Sequence, residues 1–123
     1  MTTKELPILI IDGNRSTSTT LAEELRSIGY QTESVNTLDE LDHIIDSGKR
    51  FLLAVMDISE FHNDIWDRCG RIRAMKTPCI AITPHRSASA VRETISHGVD
   101  ALLVAPVTIK EIIEHIRTTL GEA

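Results

Sequence analysis

Hydrophobic positions in this chain fall into short continuous runs and into spaced stripes, and the two alternate. Residues 6–11 (LPILII), 52–56 (LLAVM, running straight into Asp57), 78–83 (PCIAIT) and 101–104 (ALLV) are apolar runs bounded by turn residues. Runs this short predict strands buried on both faces. Residues 30–35 (YQTESV) alternate and are more polar, which predicts a strand at a sheet edge. Between the runs lie helical stripes. Leu21, Ala22, Leu25 and Ile28 line one face of a helix over 16–28, stopped by Gly29. Leu38, Leu41, Ile44 and Ile45 form the next stripe, opened by a Thr37–Glu40 capping box and ended by Gly48. A third helix carries Trp66, Cys69 and Ile72. A fourth, over 88–97, carries Val91 and Ile95 and closes at Gly98. The last buries Ile109, Ile112, Ile113, Ile116 and Leu120 behind a Thr108–Glu111 capping box.

Strand–helix alternation repeated five times predicts an α/β fold, a doubly wound parallel sheet with helices on both faces. Right-handed crossovers and a polar second strand favour the order 2-1-3-4-5, the flavodoxin-like (βα)5 arrangement. Strands one and three are then central neighbours, and the strand order reverses between them. Ligand crevices in open parallel sheets lie at the carboxyl ends of the strands, at such a switch point. Asp12 and Asp57 end those two strands, and Thr83 ends the strand beside Asp57.

Composition narrows the chemistry. The 123 residues suit one domain over 1–123 with a core over about 7–120. One Trp, one Tyr and two Phe leave an aliphatic core and few platforms for stacking a flavin or a base. A net charge of −5 argues against a direct nucleic-acid partner. No run approaches the ~20 apolar residues of a membrane span, and residues 1–6 are too polar for a leader peptide, so no membrane partner is expected. Cys69 and Cys79 lack metal-type spacing and read as small hydrophobes; a reducing cytoplasm fits them. The five histidines show no ligand spacing and read as surface or structural groups. Trp66 reads as half-buried.

Two adjacent carboxylates repel and call for a cation or a proton. Hard divalent ions such as Mg²⁺ suit carboxylate oxygens, and an aspartate beside one can act as a nucleophile toward phosphorus. A threonine hydroxyl one strand away is placed to bond the new phosphoryl oxygens. Taken alone, each residue has a plainer role: Asp57 as a strand-end cap, Asp12 as a turn former before Gly13, Thr83 as a cap on the following loop. Their convergence at the switch point outweighs those roles.

From residue 7 to residue 120 the chain resembles the receiver domain of the two-component response regulator family, the CheY-like domains. The resemblance rests on Ile10-Ile11-Asp12, Asp57, Thr83 and Pro106 after strands one, three, four and five, with Ile72-Arg73 and Gly98-Val99-Asp100. It implies that Asp57 is the phosphoacceptor, and that Asp12, Asp57 and the Ser59 backbone carbonyl hold Mg²⁺. It also implies that Thr83 bonds the phosphoryl group, that Pro106 follows a cis bond, and that a histidine kinase or phosphotransfer protein is the partner. A homodimer would use helix 4, strand 5 and helix 5, where Arg92, Glu93, Lys110, Glu114 and Arg117 supply both charge signs.

The sequence also departs from that family. Gly13 stands where a second acid is usual, Ala105 where a lysine is usual, and Leu102 where a switch aromatic is usual; Glu60-Phe61 and Ile65 replace the usual residues of the loop. Mg²⁺ binding is therefore expected to be weak. Asn14 and Glu60 are nearby substitutes for the lost metal ligand, and Arg15, His85 and Arg86 for the lost cation, though each reads first as a solvated loop residue. The departures favour an atypical receiver. The alternatives are a pseudo-receiver, keeping the fold as a phosphorylation-independent interaction or dimerisation module, and a flavodoxin-like cofactor binder using the hydroxyl-rich stretch 13–20. Asp12 and the scarcity of aromatics disfavour the last. Catalysis of its own is not expected.

Overall fold

A computed structural model describes residues 6–61, 64–84 and 87–122. The elements alternate as the hydrophobic pattern predicts: β1 (Ile8–Asp12), α1 (Arg15–Ser27), β2 (Thr32–Val35), α2 (Leu38–Asp46), β3 (Leu53–Asp57), α3 (Ile65–Ala74), β4 (Cys79–Thr83), α4 (Ala88–Ser96), β5 (Ala101–Val104) and α5 (Ile109–Thr119). The strands form one sheet in the order β2-β1-β3-β4-β5, and every pairing is parallel. This is the predicted doubly wound topology.

Alternation along the central strands splits the core into two layers. Ile8, Ile10, Leu53, Val55, Ile80 and Ile82 face Leu21 and Leu25 of α1 and Ile112 and Ile116 of α5. Leu9, Ile11, Ala54, Met56, Cys79 and Ala81 face Leu41 of α2 and Ile65, Cys69 and Ile72 of α3. Both cysteines are free, buried and part of that second layer.

The boundaries differ from the sequence expectation in physically simple ways. β1 starts at Ile8 and extends through Asp12, because Asp12 still pairs with Asp57. α1 begins one residue earlier than expected, since the Asn14 side chain caps it by accepting from Thr17 N at 3.1 Å. β2 begins at Thr32 rather than Tyr30; Tyr30 is instead buried in the layer under α1 and α5. The Thr108–Glu111 box closes as predicted. At Thr37 the pattern shifts by one residue: Thr37 accepts from Glu40 N, but Glu40 Oε1 accepts from Asn36 N at 2.9 Å. Gly29, Gly48 and Gly98 all adopt positive φ after α1, α2 and α4, as predicted helix stops. After α3 the left-handed position is taken by Lys76 (φ 62°), which no glycine announces.

Two of the family-like sequence features serve the scaffold. The Asp100 carboxylate accepts from Cys79 N at 2.7 Å, at the head of β4, and lies 2.7 Å from the Arg73 guanidinium at the end of α3. Burial pushes the Asp100 carboxyl up, but Arg73 and the Cys79 N–H outweigh it and hold the group below its usual range. Across the molecule, Asp42 of α2 takes both Arg68 and Arg71 of α3, and Asp46 takes Arg71. No helix among the described residues is long and apolar enough to cross a membrane.

Candidate functional site

Asp12 and Asp57 are direct partners in the β1–β3 ladder, at the last position of each strand. Register partners in a parallel pair point to the same face of the sheet, and strands lie about 4.8 Å apart. The two carboxylates therefore stand side by side above Ile10 and Val55, each two residues earlier in its strand. Thr83, buried, ends β4 one residue past Ile82, which is the partner of Asp57 in the β3–β4 ladder. All three residues therefore end adjacent central strands, at their carboxyl ends.

The local bonding orients each acid. Asp12 Oδ1 accepts from Asn14 N at 2.8 Å, and Asn36 Nδ2 donates to Asp12 O at 2.8 Å and to Ser18 Oγ at 3.1 Å. Asn36 is a brace that sequence reading missed; its only signal is a polar residue directly after the edge strand. Asp57 Oδ1 accepts from Ser59 N at 2.9 Å and from Ser59 Oγ at 2.6 Å. Burial pushes the Asp12 carboxyl up to about 6; the Asn14 N–H opposes this, and repulsion from Asp57 and Glu60 adds to it. Asp12 is only 7% exposed, so its charge is poorly hydrated.

The named substitutes sort clearly. Glu60 does reach the site: a Cβ placed at Gly13 would lie 2.7 Å from Glu60 Oε2 and 2.8 Å from Glu60 Cβ. The Glu60 side chain thus occupies the space that a side chain at residue 13 would take. Asn14 is spent on capping α1. Arg15 is exposed, and its charge acts on Glu40. His85 and Arg86 lie outside the described residues. Among the described residues, neither Asp12 nor Asp57 is in an ion pair, and no three His, Cys, Asp or Glu side chains are gathered closely enough to hold a metal.

Ala105 follows β5, with its N–H donating to Thr83 O at 2.8 Å, and the Ala105–Pro106 bond is cis, as the resemblance implied. Leu102 is partly buried against the α2–α3 layer. Trp66 is half-buried there too, with its ring stacked 4.3 Å from that of His97. His97 is therefore a structural histidine at the end of α4.

No protein-family model matches the chain. In sequence it is similar to the sensor histidine kinase RcsC of Escherichia coli, 26% identical over 121 residues, which span 96% of this chain and 12% of that protein. In structure it is similar to a two-component response regulator from Clostridium difficile (TM-score 0.83, 22% identity, 94% of this chain and 96% of the other). It is also similar to a response regulator from Burkholderia pseudomallei that holds a phosphorylated aspartic acid, a calcium ion and citrate (TM-score 0.76, 18% identity, 94% and 69%). The fold is that of the CheY-like receiver domains.

Proposed function

We propose that this chain, with its receiver fold, is an atypical receiver domain of two-component signalling that takes a phosphoryl group on Asp57. The observation that carries the reading is the Asp12–Asp57 pair at the end of β1 and β3, with Thr83 beside it at the end of β4. Such a carboxylate, half-exposed and oriented by Ser59, is a competent nucleophile. In the transfer, Asp57 Oδ2 bonds to phosphorus as the bond to the donor breaks, and the donor leaves with that electron pair. The donor is a histidine kinase or a phosphotransfer protein, and the similarity to part of a sensor kinase supports that setting.

A divalent cation fits the donor chemistry. Asp12, Asp57 and the Ser59 carbonyl are hard oxygen ligands, Glu60 adds a carboxylate, and the raised pKa of Asp12 marks a cluster that positive charge would relieve. Mg²⁺, when bound, would neutralise charge on the incoming phosphoryl group. Affinity is expected to be weak because the acids are not gathered into a cage. Thr83 donates to a phosphoryl oxygen in this reading, and Ala105 brings no cation to it.

Intact-mass spectrometry after incubation with acetyl phosphate and millimolar Mg²⁺ tests the reading. The expected result is a partial gain of one phosphate, lost in Asp57→Asn. A chain that gains none, with the wild type folded, overturns it. That outcome favours the second reading, a pseudo-receiver acting through protein contacts, for which the specific observation is Ala105 beside the acids. Self-association in either reading would use the α4–β5–α5 face, where Ile95 is 54% exposed.

A further inference from the structure

Cys69 and Cys79 meet where β4 begins, at the end of the sheet remote from the acid pair. Both thiols are free and fully buried in the layer under α2 and α3. One short turn joins them. Cys69 Sγ donates to His97 O at 3.8 Å. Three residues later Asp100 holds the Cys79 backbone twice: its N–H donates to Cys79 O at 2.8 Å, and its carboxylate accepts from Cys79 N at 2.7 Å. Arg73, one helical turn beyond Cys69 on α3, lies 2.7 Å from that same carboxylate oxygen. The two thiols hydrogen-bond each other inside this frame, and the bond makes them unequal. With the Arg73 charge, it outweighs burial and holds the Cys69 thiol below its usual range. The same bond, together with burial, pushes the Cys79 thiol well up.

We propose that Cys69 and Cys79 are a modification site that hydrogen peroxide converts to a reversible disulfide, with Cys69 reacting first and Cys79 resolving it. Cys69 Sγ attacks one peroxide oxygen; the S–O bond forms as the O–O bond breaks, and the leaving hydroxide takes the thiol proton away as water. Cys79 Sγ then attacks the Cys69 sulfur. The S–S bond forms as the S–O bond breaks, and the Cys79 proton leaves with the hydroxide as a second water. Two thiols are oxidised by two electrons, and one peroxide is reduced to two waters. Access comes through α4. The turn over Cys69 is the one that leaves α4, and that helix buries Thr94 alone, so its lifting admits a reagent little larger than water. The disulfide adds a covalent clamp where Arg73 and Asp100 already join α3 to β4. The inference does not rest on phosphorylation of Asp57.

The test exposes the reduced wild-type chain, in native buffer, to millimolar hydrogen peroxide. Free thiols are then blocked with N-ethylmaleimide, and the monomer is digested with trypsin without reduction. Fragments 69–71 and 77–86 should be joined in most chains and parted again by dithiothreitol. Cys79→Ala should stop at a sulfenic acid on Cys69, trapped by dimedone, and Cys69→Ala should give no dimedone adduct on Cys79. Unjoined fragments, joining only between chains, or joining only once urea has unfolded the protein would overturn the proposal. A dimedone adduct on Cys79 but not on Cys69 would overturn the order of attack. The cross-link is read on the wild-type chain, so it decides the matter even if the variants do not fold.

Discussion

Asp12 bears the sharpest conflict in the molecule: a carboxylate 7% exposed, beside two others, at the end of a buried strand. Its folded-state pKa of about 6 exceeds the ordinary 3.8, so the protonated acid is the form the fold prefers. The stabilising contribution is complete below pH ~4, shrinks as pH rises through ~6, and leaves the ionised group as a cost at neutral pH. Asp12→Asn keeps an oxygen for the Asn14 N–H and removes the charge. Its expected outcome is a gain of roughly 1–3 kcal/mol at pH 8 and almost none at pH 4, read from urea unfolding at both. Equal stability of the two proteins at pH 8 would refute the burial argument. At this scale the positions of Asp12, Asp57 and Thr83 at strand ends were legible in the sequence, because each follows directly from where an apolar run stops. The position of Glu60 against Gly13 is not legible there, since loop conformation, not periodicity, brings a side chain back over a glycine.

At the scale of elements, the hydrophobic pattern predicted all ten in order, and the sheet topology with them. Strand ends were less legible, because a strand continues as long as its ladder does; Asp12 belongs to β1 only because Asp57 lies opposite. The joints were illegible. Asp100 ties α3 to the head of β4 through two partners 27 and 21 residues away, a contact that no local pattern announces. Replacing it tests that joint. Asp100→Ala leaves the Cys79 N–H without its acceptor and should cost about 1–3 kcal/mol in chemical denaturation. Asp100→Asn keeps an acceptor for that N–H and should cost less. A neutral effect of the alanine variant would show that water replaces the carboxylate at no cost.

Across the whole molecule, the order 2-1-3-4-5 puts the acid pair at the centre of the sheet, with one aliphatic layer on each side. The helices that cover the sheet are unequal in what they bury. α1 buries Ser18, Leu21, Ala22 and Leu25, whereas α4 buries Thr94 alone, and the Thr94 hydroxyl bonds within its own helix to Ala90 O at 3.0 Å. That feature sets a clock. Amides at the centre of β1 and β3 must await opening of the entire domain before they exchange with deuterium. Those of α4 need only the helix to lift, which uncovers little apolar surface. Native-state exchange should therefore find α4 protected on the order of a hundredfold less than β3, with openings insensitive to denaturant. Equal protection would mean that the domain opens only as one unit. On that clock the fourth helix is expected to lift many times for each opening of the central strands.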